Sequence, residues 1–431
     1  MKRNPILQVA LDVLNEHRAL QIAKEAVEGG ADWLEAGTPL IKSEGMEIVR
    51  KLKQQFPEVP LVADMKTADV GGVEAEMAAK SGADVICVLG VSDDETLKEA
   101  VRSARNFNAK IMVDLLGVEE KPKRAKAVEE LGVDFVCVHV GVDEQMTGKD
   151  SFEELKSVAS KISMPVAVAG GINSETAARV TDAGASIIIV GGAITKSPKV
   201  AEATRSIKEA MEKRKVIRTD LFKRYGTEEL RKAFSKVSTA NVSDAMHRAG
   251  EMEGIKALKT GYEMVGKALT VVTINGDWAK PVEGIDRADR GDVLVVDVNG
   301  GKKAVWGELA SNSARIKGLA GVVVDGAVRD VDDLLKIDLP VFTRWTSPSA
   351  GEPKGYGEIG GTVSCGGRKV RRGDWIIGDD SGVVVVPREE AKEIANRALD
   401  VKERENRIRE EIERGGSLGK VLKLKKWEKL G

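Results

Sequence analysis

At 431 residues the chain exceeds what one core usually serves, so two domains of roughly 200 residues each are expected. Its 67 basic and 68 acidic residues leave a formal net charge of -1. That balance offers no bulk attraction for nucleic acid or an anionic membrane and points to a small-molecule partner.

Three cysteines, Cys87, Cys137 and Cys365, stand singly, without metal-ligand spacing or disulfide density, and read as buried thiols of a reducing cytoplasm. The start of the chain lacks the apolar core of a signal peptide. No apolar run approaches the ~20 residues of a membrane helix.

From residue 7 to residue 192, eight short β-branched runs alternate with helical patterns: LQVALDV (7–13), DWLEAG (32–37), PLVADMK (60–66), DVICVLG (84–90), KIMVDLL (110–116), DFVCVHV (134–140), PVAVAGG (165–171) and SIIIVGG (186–192). Near-continuous apolar strands between amphipathic helices imply a covered parallel sheet, and eight such units favour a closed (β/α)8 TIM barrel over an open doubly wound sheet. The barrel is expected over 1–215, a charged helical connector over 216–234, a β-rich α/β domain with Gly- and Asp-rich turns over 235–390, and a charged helical tail over 391–431.

Catalytic groups of such a barrel sit where strands end, because only those positions converge on one mouth. Asp12, Glu35, the run Asp64-Met65-Lys66-Thr67-Ala68-Asp69, Asp114 and His139 fall at those ends. Glu35 and Asp64 suit a hard cation, Mg²⁺ or Mn²⁺, with positions left for substrate oxygens. Lys66, flanked by Asp64 and Asp69, is expected to stay charged and to stabilise an enediolate, and His139 to shuttle a proton. The pairs Gly170-Gly171 and Gly191-Gly192 let backbone approach a phosphate.

The D-x-K-x-x-D run, with LQVALD, LEAGTPL, VHVGVDEQ, AVAGGI and IIIVGGAI, resembles the 3-hexulose-6-phosphate synthase family of the orotidine-phosphate decarboxylase superfamily. The resemblance implies reversible condensation of formaldehyde with D-ribulose 5-phosphate through a Mg²⁺-stabilised enediolate. It implies metal ligation by Glu35 and Asp64, a catalytic pair Lys66 and Asp69, proton transfer by His139, hydroxyl binding by Asp12, and a dimer in which Asp69 reaches the neighbouring site. The related 3-keto-L-gulonate-6-phosphate decarboxylases are the alternative. Those enzymes carry an arginine where this chain has Val142, and commonly another at the position of Gly192, so a carboxylate is less well served here.

In the second half, DGAVRD places Asp325, Arg329 and Asp330 in a glycine-flanked turn, and WGELA places Glu308 at a helix start. Read physically, Arg329 is a fork for a carboxylate and Asp330 a hard-metal ligand. With NVSDAMHRAG, VGKALTVV and GDWIIGDDSGVVVVP, these motifs resemble the ribonuclease-activity-regulator-A-like proteins and class II 4-hydroxy-4-methyl-2-oxoglutarate aldolases. The resemblance implies a trimer, with Arg329 holding an oxo-acid carboxylate, Asp330 binding metal through water and Glu308 orienting a catalytic water. A non-catalytic scaffold is the rival reading of this half, and RNA or nuclease binding a third that lacks a basic patch. A dimer-forming unit fused to a trimer-forming one favours a homo-oligomer of six chains.

Overall fold

Eight runs of Ile, Val, Leu and Ala form eight parallel strands that close on themselves: β1 (Ile6–Leu11), β2 (Trp33–Ala36), β3 (Leu61–Thr67), β4 (Val85–Leu89), β5 (Lys110–Asp114), β6 (Phe135–His139), β7 (Val166–Ala169) and β8 (Ile187–Val190). The computed structural model describes residues 5–147, 151–422 and 424. Closure is made by β1 against β8, with Ile6 opposite Ile187 and Val9 opposite Val190. Alternation along each strand divides the apolar residues into two sets. Ala10, Val62, Cys87, Met112, Cys137 and Ile189 fill the interior, while Leu7, Val9, Leu11, Ala63, Ile86 and Val88 pack under the helices.

The helices start and stop where local chemistry satisfies their ends. Asn15 caps Glu16–Glu28 by accepting from Arg18 N at 3.2 Å, and Asp93 caps Asp94–Asn106 by accepting from Thr96 N at 2.7 Å. In β3 the register with β4 shifts between Ala63 and Thr67, and Lys66 takes a left-handed φ of 48°. The shift pushes Asp64, Met65 and Lys66 out of the ladder at the barrel mouth, which is where a bulge re-aims side chains.

The second unit, Tyr225–Lys402, is built on a mixed sheet. Its strands are β9 (Lys256–Ala257), β10 (Met264–Val272), β11 (Val293–Trp306), β12 (Gly321–Val328), β13 (Val341–Thr346), β14 (Glu358–Ile359), β15 (Val363–Cys365), β16 (Arg368–Val370), β17 (Trp375–Asp379) and β18 (Gly382–Val386). The order is β18-β17-β10-β11-β12-β13-β9, with β14 beside β10 and β15-β16 a separate hairpin. The centre, β10 to β13, is parallel and the flanks are antiparallel. Valines 293 and 295 enter one core and Leu294 and Val296 another, as alternate residues of one strand must.

Two expectations are corrected. Helix in the connector is confined to Thr227–Glu229, a 3₁₀ turn, and Leu230–Phe234, whereas residues 216–226 form no helix. β-Branched Val216 and Ile217, the left-handed Phe222 and Gly226 all disfavour helix, and backbone groups there bond to Ser174, Glu175 and Glu403 instead of forming helical turns. The charged tail is helical over Ala391–Glu413 and Leu418–Val421, but its described residues from Glu403 to Leu422 belong to the barrel unit, where Arg18 Nε lies 3.1 Å from Glu411 Oε1. Residues 423 and 425–431 of the expected tail lie outside the described residues. Among the described residues no helix is long and apolar enough to cross a membrane, and all three cysteines are free and buried.

Candidate active site

The C-terminal ends of the barrel strands surround a cavity of about 370 Å³. Asp12, Glu35, Asp64, Lys66, Asp114, His139 and both glycine pairs line it, so the strand-end charges and glycines singled out in the barrel meet in one place with one exception. The exception is Asp69, which is exposed, does not line the cavity, and has its Oδ1 2.7 Å from Val70 N. The left-handed turn at Lys66 carries the following residues outward, so within one chain Asp69 does not reach the Lys66 ammonium that it flanks in sequence.

Lys66 is held instead by Asp64 and Asp114. Its Nζ lies 2.8 Å from Asp64 Oδ2, 3.1 Å from Asp64 Oδ1 and 3.1 Å from Asp114 Oδ2. The same Asp114 oxygen is 2.8 Å from His139 Nδ1, and Asp114 Oδ1 accepts from Leu116 N at 2.9 Å. Burial pushes the Lys66 ammonium toward neutrality, but the two carboxylates outweigh it and raise its pKa above the ordinary lysine value. For Asp114, burial pushes upward while the His139 hydrogen bond and charge and the Lys66 charge push down, leaving it lowered to about 2. An ionised carboxylate only accepts, so His139 carries its proton on Nδ1 and leaves Nε2 to exchange a proton.

Glu35 is buried beside Asp64 and Asp12, and its pKa is raised well above the carboxylate range, first by burial and then by those two like charges. Gln8 Nε2 donates to Glu35 Oε2 at 2.5 Å, while Gln8 Oε1 is buried without a hydrogen-bond partner. The Thr38 hydroxyl lies 2.7 Å from Asp64 Oδ2 and 2.9 Å from the Asp64 carbonyl oxygen and donates to one at a time. Among the described residues no group of three or more His, Cys, Asp or Glu side chains could hold a metal ion. Two carboxylates suit Mg²⁺ only if water and substrate oxygens complete the shell, and the repulsion felt by Glu35 is the kind a divalent cation relieves.

After β7, Gly170 and Gly171 have φ of 107° and 68°, conformations that L side chains rarely adopt. A Cβ on Gly191 would sit 3.1 Å from Asp12 Oδ2, and one on Gly192 would run into the ring of Phe222. Asp114 stood in the sequence as a strand-end acid with no role assigned. Thr38, Gln8 and Phe222 carried no signal there, because each matters only through what the fold brings against it.

The second unit has its own cavity, of about 260 Å³, lined among others by Trp278, Trp306, Glu308, Arg329 and Asp330. Asp330, left-handed at φ 59°, accepts from Glu308 N at 3.2 Å and lies 3.4 Å from Arg329 Nε. Asn312 Nδ2 donates to Glu308 Oε1. The two sequence segments therefore do converge on one pocket.

Comparison with known proteins agrees with both halves. The orotidine 5'-phosphate decarboxylase / HUMPS family model matches residues 5–207, and the RraA-like (Aldolase/RraA) model matches residues 239–385. The 3-hexulose-6-phosphate synthase of Bacillus subtilis (strain 168) is 42% identical over 204 residues, 47% of this chain and 97% of that protein. That of Mycobacterium gastri is 40% identical over 48% of this chain and 99% of its own length. The crystal structure of Streptomyces coelicolor RraAS2, an unusual member of the RNase ES inhibitor RraA protein family, is 28% identical over 43% of this chain and 97% of that one, with a TM-score of 0.39.

Proposed function

Since the chain belongs, through its first domain, to the 3-hexulose-6-phosphate synthase family, we propose that the barrel condenses formaldehyde with D-ribulose 5-phosphate, reversibly, as an aldehyde-lyase. The observation that carries this reading is the chain Asp64–Lys66–Asp114–His139 beside Glu35 in one mouth. It sets a fixed cation and an oriented imidazole around the space where a small ketose would sit.

In this reading Glu35 and Asp64 would hold Mg²⁺ or Mn²⁺, which when bound supplies a Lewis acid for two adjacent substrate oxygens. His139 Nε2 takes the proton from C1 of the pentulose, and Asp114 holds the ring in the tautomer that leaves Nε2 free to do so. The Lys66 ammonium, kept charged by Asp64 and Asp114, faces the negative charge that develops on oxygen as C1 becomes nucleophilic. C1 then bonds to the formaldehyde carbon as the C=O π bond breaks, and the aldehyde oxygen takes back the proton that His139 Nε2 carries. Asp12 binds hydroxyls and the glycine pairs take the phosphoryl group.

The related decarboxylase chemistry is less well supported, since an arginine at position 192 would meet the Phe222 ring. Supplying 3-keto-L-gulonate 6-phosphate in one assay, and ribulose 5-phosphate with formaldehyde and Mg²⁺ in another, separates them. The account expects formaldehyde loss and negligible CO₂ release; the reverse pattern contradicts it.

For the second domain we read the Glu308, Arg329 and Asp330 pocket as a metal-assisted oxo-acid site. Release of pyruvate from a 4-hydroxy-2-oxo acid by wild type, lost in Arg329→Ala, is the expected result. Equal rates in both, or none in wild type, would make this domain a scaffold. A cytoplasmic setting is part of the same proposal.

A further inference from the structure

Residues 216–224 follow the barrel's last helix, lie beyond the 5–207 stretch of the family match, and are tied to the mouth loop after β7. Ile217 N donates to Ser174 O at 3.1 Å, and Ser174 Oγ donates to Ile217 O at 2.8 Å. Thr219 N donates to Glu175 Oε1 at 3.1 Å, and Lys223 Nζ pairs with Glu175 Oε2 at 3.0 Å. The segment delivers Phe222, which is 8% exposed, into the cavity.

Phe222 is held in a left-handed conformation, φ 52°, which is strained for a bulky L residue and persists only where surroundings enforce it. Both of its backbone groups are fixed: its N–H donates to Glu403 Oε1 at 2.8 Å and its carbonyl accepts from Asn173 Nδ2 at 3.4 Å. The ring is seated on Gly192, where any Cβ would collide with it. The Arg224 guanidinium lies 4.1 Å from the ring centroid and Lys196 Nζ 5.3 Å from it. Two cations thus flank one ring at this end of the cavity, and Arg224 is itself held by Glu403, with Nη2 3.1 Å from Glu403 Oε2.

We propose that Phe222 is a specificity-determining residue for the phosphoryl end of the substrate, the wall that bounds the glycine-lined anion pocket and restricts position 192 to glycine. The proposal rests on reading the cavity as a sugar-phosphate site. Because the wall touches the distal, non-reacting end, it acts on binding and leaves the C1 chemistry alone.

The test is a cycle of Phe222→Ala, Phe222→Leu and Gly192→Ala, with Gly192→Ala made in both the wild-type and Phe222→Ala backgrounds. The readouts are KM and kcat for ribulose 5-phosphate and, separately, the affinity of inorganic phosphate by calorimetry. Phe222→Ala is expected to raise KM and to weaken phosphate each by about 10-fold with kcat within about 2-fold, and Phe222→Leu to fall between it and wild type. Gly192→Ala is expected to cost about 10-fold in KM in wild type and little in the Phe222→Ala background.

Folded Phe222 variants with KM and phosphate affinity within about 2-fold of wild type, or a Gly192→Ala penalty equal in both backgrounds, would overturn the proposal. Should Phe222→Ala not fold, Phe222→Leu, which keeps an apolar side chain, decides by the same criteria. If wild type condenses no formaldehyde, the synthase reading fails, while the phosphate affinities and their cycle still judge the wall.

Discussion

One oxygen of Asp114 meets both the Lys66 ammonium and the His139 ring, so a single buried carboxylate positions the cation and the proton carrier together. Its folded pKa of about 2 lies below the ordinary value of 3.8, so the sign is that of a depressed acid. The stabilisation it gives is fully present above pH 3.8 and is lost as pH falls toward 2, and it amounts to roughly 2 kcal/mol. Asp114→Asn should therefore unfold more easily at neutral pH than wild type by about that amount. The gap should close as the two acid titrations converge at low pH, as followed by urea denaturation at each pH. The same variant should lower kcat ~100-fold with a smaller change in KM, because His139 loses the carboxylate that orients it and Lys66 one of the two that hold it. Strand-end position made Asp114 visible in the sequence, but its partners come from β3 and β6, and nothing in linear spacing links those strands. Asp69 shows the converse: close to Lys66 in sequence, it is carried away by one left-handed residue.

At the scale of elements, hydrophobic patterning was sufficient for all eight barrel strands, because they are largely buried on both faces and read as mostly apolar runs whose polar residues cluster toward the mouth. The glycine pairs after β7 and β8 were legible as well, although for different reasons: Gly170 and Gly171 need a backbone that other residues avoid, and Gly192 has no room for a Cβ beside Phe222. The connector was not legible. Its charged, helix-compatible composition is overridden by hydrogen bonds from residues 217–223 to side chains and loops distant in sequence. The end of the long helix Ala391–Glu413 was also obscure, since its charged residues read as a solvated face. There Arg18, a buried arginine, faces Glu411 at 3.1 Å, with Arg407 3.5 Å from the same Glu411 oxygen. Removing the carboxylate strands two cations, so Glu411→Ala should destabilise the barrel unit by about 2 kcal/mol or more. Chemical denaturation should show that loss while Arg409→Ala, at an exposed position, stays within about 0.5 kcal/mol of wild type.

At the scale of the molecule, two units with separate cores each carry a cavity of their own, and both cavities collect acidic and basic side chains predicted from strand ends and turns. If the barrel pairs as a dimer and the second domain as a trimer, the closed assembly has six chains, and light scattering should give six times the 46.3 kDa chain mass. A mass of one chain would remove that proposal and with it the suggestion that Asp69 serves a neighbouring site.

The barrel mouth is proposed to form a carbon–carbon bond to formaldehyde. The most direct measurement is ¹³C NMR of wild type and Lys66→Ala, each incubated with ribulose 5-phosphate, ¹³C-formaldehyde and Mg²⁺. The account predicts that the label moves into the C1 hydroxymethyl group of a phosphorylated 3-hexulose with wild type, and that Lys66→Ala, still folded, leaves it as formaldehyde. Label that stays in formaldehyde with wild type, or moves equally well without the Lys66 ammonium, would contradict it.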